Sequence, residues 1–133
     1  AETFLQMAGA HIPDDMQGAS LVPLLKGESP KDWRKSIYYH YYEYPSVHMV
    51  PRHYGIRTAR HKLMHFYQFG EEWELYDLKK DPDELQNIHG DSEQAKVTAR
   101  LKKQLKALQK RYQDDSDISE KPKEWQQKVR PGA

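Results

Sequence analysis

Seven of the 133 residues are histidines, and their spacing decides what they could do. His61 and His65 lie four apart, a spacing that chelates a metal on a helix. Their surroundings read as a strand, however, where the two rings stand roughly 13 Å apart and do not share an ion. No glutamate completes a His-Glu-x-x-His pattern. His48 and His53 lie in a polar stretch from Pro45 to His53, flanked by Arg52, Tyr54 and Arg57. A loop dense in histidine and arginine, held at a sheet edge, suits an anion or a sugar. Composition by itself favours the plainer reading, a solvated loop with incidental histidines. Arg57 sits within a strand candidate and is expected to pair with a nearby carboxylate such as Glu43 or Glu74.

Other chemistries are excluded. There is no cysteine, hence no disulfide framework, thiol nucleophile or thiolate zinc site. Asp114-Asp115-Ser116-Asp117 resembles the start of a calcium loop but lacks the glycine at position six and the glutamate at position twelve. Asp81, Asp83 and Glu84 read as a turn followed by acids at a helix start. Gly-x-Ser-x-Gly, Walker and Gly-x-Gly-x-x-Gly patterns are missing. Lys and Arg number 21 against 20 Asp and Glu, a net charge of +1 that argues against a strong nucleic-acid footprint. No apolar run approaches the ~20 residues of a membrane helix, and no basic-then-apolar leader is present. A leader could belong to a longer parent chain. The residues therefore give no metal site, no catalytic group and no membrane or nucleic-acid partner.

The elements that must position the loop are legible. Residues 2–9 read as a helix end, with Phe4, Leu5 and Ala8 on one face and Gly9 as its stop. His11 to Gly27 is a loop around Leu21, Leu24 and Leu25. Residues 36–44 read as a strand with tyrosines at both phases of the alternation, so both faces have something to pack on. Residues 54–58, 62–69 and 72–77 give three more strand candidates with short links, which favours an antiparallel meander. Asp91 followed by Gln94 is a capping-box pattern. Val97, Leu101, Leu105, Leu108 and Tyr112 then form an apolar stripe opposed by Lys102, Lys103, Lys106 and Lys110, a lysine face that by default is solvated surface. Residues 114–133 read as a largely disordered tail in which Trp125 could anchor. Mean hydropathy is −1.03, and charged residues make up 31% against a usual ~25%. A chain this polar rests on something besides its own core.

Three stretches together resemble the C-terminal part of the type I sulfatases of the alkaline-phosphatase-like superfamily. Residues 12–25 contain Gly18-Ala19-Ser20-Leu21-Val22-Pro23-Leu24-Leu25, similar to the segment leaving that family's catalytic domain. Tyr54-Gly55-Ile56-Arg57-Thr58 with His61-Lys62-Leu63 is similar to its G-(I/V)-R-T-x-x-(Y/H)-K-L strand pair. Glu74-Leu75-Tyr76-Asp77-Leu78 with Asp81-Pro82-Asp83-Glu84 and Asn87 is similar to E-L-Y-D-L-x-x-D-P-x-E-x-x-N. The resemblance covers about residues 2–113, and the Tyr39-to-Tyr54 stretch is similar to sulfatases acting on glycosaminoglycan or related glycans.

The resemblance implies sulfate-ester hydrolysis for a parent enzyme, with a formylglycine and a calcium ion in a catalytic domain outside this chain. The expected fold is α+β: a four-stranded antiparallel sheet with a long C-terminal helix on one face. Residues 1–30 are expected to be a remnant of the catalytic domain, 31–113 the C-terminal subdomain, and 114–133 the tail. The sheet face away from the helix is expected to lie against the parent's catalytic domain. His48, Arg52 and His53 are expected to reach a sulfated glycan, with no catalytic residue in this chain. Family habit suggests an exported (periplasmic or extracellular) or lysosomal parent. The alternative is a non-catalytic protein-interaction module using an exposed tyrosine-rich sheet face.

Overall fold

A computed structural model of the chain describes residues 1–114. They fall into two units that divide between Lys35 and Ser36. In the first unit, α1 spans Glu2–Met7 and α2 spans Val22–Leu25. Gly9, at φ 66, takes the left-handed conformation that follows a helix end and that a side chain would resist. Thr3 Oγ1 accepts from the Leu21 amide at 3.0 Å and Ser20 Oγ from the Val22 amide at 3.2 Å. The first of these bonds ties the Gly-x-Ser-Leu segment back to α1. Phe4, Met7 and Leu25 are nevertheless 76%, 67% and 71% exposed.

The second unit carries the sheet: β1 (Ser36–Tyr41), β2 (His53–Thr58), β3 (His61–Phe66) and β4 (Glu72–Asp77), each antiparallel to the next and in sequence order. Two strands are shorter than the alternation predicts. Residues 42–44 leave the ladder because β2 starts only at His53, and β3 stops at Phe66, opposite the start of β4 at Glu72. A 3-10 turn at Ser92–Gln94 leads into α3 (Ala95–Arg111). The expected capping box does not form. Asp91 makes no side-chain cap; its carbonyl accepts from the Gln94 amide at 2.9 Å, so backbone does that work.

The register sorts every strand residue onto one of two faces. Tyr38, Ile56, Leu63 and Leu75 form a cross-strand row, and His40, Tyr54, His65 and Trp73 form the next. These rows face α3. Leu101 and Leu105 complete a cluster with Tyr54, Ile56, Leu63 and Leu75, while Val97 and Leu108 pack at its margin. Ile56, Leu63, Leu75 and Leu101 are fully enclosed. On the opposite face the rows are Tyr41–His53–Phe66–Glu72, Tyr39–Gly55–Met64–Glu74 and Ile37–Arg57–Lys62–Tyr76. α3 does not cover them, yet Met64 and Tyr76 are buried there.

Several residues of the family motifs, Thr58, Lys62, Asp77, Asp81, Glu84 and Asn87, act as staples of this second unit. Arg60 makes a two-pronged bond to Asp77, with Nε and Nη2 donating at 2.8–3.2 Å. Thr58 Oγ1 accepts from the amides of Arg60 and His61 and so closes the β2–β3 turn. Asp81 receives the Leu85 and Gln86 amides, and Glu84 pairs with Lys62 at 2.5 Å. Asn87 Oδ1 accepts from the Leu75 and His89 amides while its Nδ2 donates to the Trp73 carbonyl, pinning residues 84–90 along the edge of β4. Gly55 is required by close approach: a Cβ there would stand 2.5 Å from both Tyr39 Oη and the Leu63 carbonyl. Arg57 pairs with neither Glu43 nor Glu74; it is exposed, in register with Lys62, and makes no ion pair among the described residues.

Asp114 was expected in a free tail but is held. Its Oδ2 accepts from His40 Nδ1 at 2.7 Å and from the hydroxyls of Tyr38 and Tyr42. His40 Nε2 lies 2.7 Å from the Tyr67 hydroxyl. The chain after α3 is thus latched to β1. The rest of the expected tail, including Trp125, lies outside the described residues.

Removing the methyls of Leu105 empties the centre of the helix–sheet seam, so Leu105→Ala is expected to cost about 2–5 kcal/mol in urea unfolding of the chain. A loss below ~0.5 kcal/mol contradicts the seam.

Candidate functional site

The loop from Tyr42 to Arg52 joins β1 to β2 and holds the three residues singled out for binding. Its two ends are fixed. Tyr44 is buried, its ring edge-on to Phe69 at 5.2 Å, and it precedes a cis bond to Pro45. Arg52 Nη2 donates to the Tyr44 carbonyl at 3.0 Å, which draws the loop closed across its base. Arg52 Nε is buried with no partner among the described residues. Inside the loop the Met49 amide donates to the Ser46 carbonyl, and Met49 sits at φ 50. A non-glycine residue rarely takes that conformation. Val47, His48 and Met49 are exposed at its tip.

His53 is placed differently from His48. It opens β2 and points to the helix-free face. Its ring stacks on Tyr41 at 5.5 Å, tilts over Phe66 at 4.8 Å and meets Tyr39 edge-on at 6.0 Å. Nδ1 lies 2.8 Å from the Pro51 carbonyl, which can only accept, so Nδ1 carries the proton. Nε2 is therefore the atom that can accept a bond when the ring is neutral or donate one when it is charged. Beside this slot the hydroxyls of Tyr39 and Tyr41 are buried without partners among the described residues. Burial, then the charges of Glu84 and Glu74, push the Tyr39 hydroxyl well above the usual phenol range. It is a neutral donor.

A cleft of about 320 Å³ opens next to His53, lined by Pro51, Phe66, Phe69, Gly70, Glu71, Glu72 and Glu74. Phe66 is shared by the slot and the cleft. The structure so brings Arg52 and His53 to one end of the helix-free face and leaves His48 out at the loop tip. Sequence reasoning missed the aromatic walls and the three carboxylates. Their signal was the register: once His53 pairs with Tyr41 and Phe66, the period of two puts Glu72 on the same row.

His61 and His65 lie in β3 on the helix side. Nδ1 of His65 is 2.7 Å from the Tyr54 hydroxyl, and its ring stacks on Trp73 at 4.2 Å, with Lys102 Nζ 4.0 Å from the same indole. Among the described residues no group of three or more histidines and carboxylates could hold a metal ion.

Residues 1–111 match the family model described as N-sulphoglucosamine sulphohydrolase, C-terminal. The chain belongs to that family. An N-acetylglucosamine-6-O-sulfatase of Bacteroides thetaiotaomicron is 55% identical over 117 residues, 86% of this chain and 21% of the relative. A delta 4,5-hexuronate-2-O-sulfatase of the same species is 33% identical over 85% of this chain and 23% of its own length. A structure solved in complex with its substrate, D-glucosamine-2-N,6-O-disulfate, superposes with a TM-score of 0.85 at 51% identity, covering 90% of this chain and 25% of that one. The chain is thus a sulfatase C-terminal domain, and it spans about a fifth to a quarter of the relatives' length.

Three histidines here titrate against folding. Burial lowers the pKa of His61, His65 and His89 below the ordinary 6.5. The unfolded chain binds protons first as the pH falls through about 6.5, so unfolding free energy is full above that value and declines below it. Asp77 adds a later step: its bonds to Arg60 hold its pKa at about 2, and the stability this gives is lost as the pH falls from 3.8 towards that value. Urea titrations between pH 8 and pH 3 check this, and stability that holds constant or rises from pH 7 to pH 5 would contradict it.

Proposed function

We propose that this chain is the C-terminal part of an enzyme that hydrolyses a sulfate ester on a glucosamine-type glycan, and that the loop 45–53 lines one side of its substrate pocket. The carrying observation is the position of His53, set between Tyr41 and Phe66 on the sheet face away from α3, its Nε2 without a hydrogen bond among the described residues. The similarity to an N-acetylglucosamine-6-O-sulfatase supports the substrate class. The helix-free face packs on the catalytic domain of the parent. The exposed Ile37 of β1 supports this, since apolar surface of that kind needs cover.

Charge orients the glycan. Glu71, Glu72 and Glu74 repel a sulfate but accept from hydroxyl and amine donors, and Phe66 and Phe69 offer flat faces to a sugar ring. The sulfated end therefore lies on the His48 and His53 side, where imidazole donates to oxygen and Arg52 braces the loop through the Tyr44 carbonyl. Calcium and formylglycine belong to the catalytic domain: this chain has no cysteine and no Ser-x-Pro-x-Arg, and its described residues do not fit a metal. No step of the hydrolysis is assigned to residues of this chain. The parent is exported or lysosomal, where sulfated glycans are met.

Kinetics of the complete enzyme test the pocket. His53→Ala and His48→Ala are each expected to lower kcat/KM on a 6-O-sulfated glucosamine oligosaccharide by about 10-fold while sparing a small aryl sulfate. Equal loss on both substrates, or loss that tracks the melting temperature, makes these residues structural.

A further inference from the structure

The helix α3 carries a second feature that the pocket does not use. Its sequence, Ala-Lys-Val-Thr-Ala-Arg-Leu-Lys-Lys-Gln-Leu-Lys-Ala-Leu-Gln-Lys-Arg, holds Lys96, Arg100, Lys102, Lys103, Lys106, Lys110 and Arg111 and no acid at all. At about 100° per residue, Lys96, Arg100, Lys103, Lys106, Lys110 and Arg111 share an arc of about 140° opposite the seam of Leu101 and Leu105. All six are exposed. Lys102 stands apart, laid over Trp73. Among the described residues no carboxylate forms an ion pair with any of the seven.

This arrangement costs the helix stability. Lys96 with Arg100, Lys102 with Lys106, and Lys106 with Lys110 are like charges four apart, and Arg100 with Lys103 and Lys103 with Lys106 are three apart; all repel. Lys110 and Arg111 are favoured at a helix C-terminus, but Lys96 and Arg100 stand in the first turns, where the helix dipole opposes a cation. A surface helix made only for solubility mixes both signs. The turn after β4 does so, with Lys79 and Lys80 beside Asp81, Asp83 and Glu84. A net charge of +1 thus hides a strongly cationic stripe about 21 Å long on one side of the sheet.

We propose that the exposed face of α3 binds a sulfated glycan chain as a site separate from the pocket. Sulfate esters stay ionised at every physiological pH, and a linear polymer bearing them at intervals matches a straight row of ammonium and guanidinium groups by charge and by shape. The stripe lies on the side of the sheet away from His53. A polymer held there is kept near the enzyme between turnovers, which raises its effective concentration at the pocket. The choice of polymer rests on the proposed substrate class; the site itself rests on α3.

Binding of a heparin octasaccharide to the full 133-residue chain, measured by titration calorimetry without any turnover, tests it. The fourfold variant Lys96→Gln, Arg100→Gln, Lys103→Gln, Lys110→Gln is expected to lose at least about 10-fold in affinity while its melting temperature holds or rises, because repulsive pairs have gone. Lys79→Gln with Lys80→Gln, exposed cations on the turn after β4, is expected to change affinity less than about 2-fold. Should the fourfold variant fold poorly, Lys103→Gln with Lys110→Gln gives the same reading at about 3-fold. Unchanged affinity in the α3 variants overturns the proposal. So does equal binding of a hyaluronan oligosaccharide, which bears carboxylates only, or of phosphatidylserine vesicles, which would make the partner a membrane. A failure of the pocket shows as unchanged kinetics in His53→Ala with heparin binding intact, so the two readings fail separately.

Discussion

Everything in the second unit depends on one seam. Leu101 and Leu105 of α3 close over Ile56, Leu63 and Leu75 in the middle of the sheet, and these side chains are almost wholly withdrawn from water. Because side chains alternate along each strand, fixing that face fixes the other. Tyr39, Tyr41, His53 and Phe66 point away from α3 because Tyr38, Tyr54, His65 and Ile56 point towards it. The binding features are therefore consequences of the core: a slip of one residue in β2 would bury His53 under the helix and expose Tyr54.

The seam explains how a polar chain holds its shape. Only a handful of side chains are fully enclosed, and polar staples supplement them: Arg60 with Asp77, Asn87 along β4, and Asp114 with His40. Of these, Asp77 and Asn87 belong to the motifs that carry the family resemblance, and both act on the fold. Gly55 shows the same logic from the other face, since the Tyr39 side chain lies where a Cβ would stand.

Much of this was legible in the residues. The four strands and the 3-4 spacing of Val97, Leu101, Leu105 and Leu108 fix the topology, because period two and period 3.6 cannot be mistaken over such lengths. The strand ends were less legible, since residues 42–44 look like strand by type and fail only for lack of a partner across the ladder. The missing cap at Asp91 has the same cause, a backbone bond replacing a side-chain one. In the candidate site, the histidine loop was visible as composition. Its geometry was not: that Arg52 is spent on the Tyr44 carbonyl, and that Glu71, Glu72 and Glu74 wall a cleft beside His53, depends on pairings between residues far apart in sequence.

The proposed arrangement gives the two faces of the sheet opposite fates: the face bearing His53 would be covered by the rest of the enzyme, and the outer face of α3 would stay in water. Hydroxyl-radical footprinting of the complete enzyme beside the 133-residue chain measures this directly. Ile37, Tyr39, Tyr41 and Phe66 are expected to lose labelling in the complete enzyme, while Lys103, Lys106 and Lys110 label equally in both. Protection of the α3 lysines with Tyr39 and Phe66 labelled as before would contradict the account.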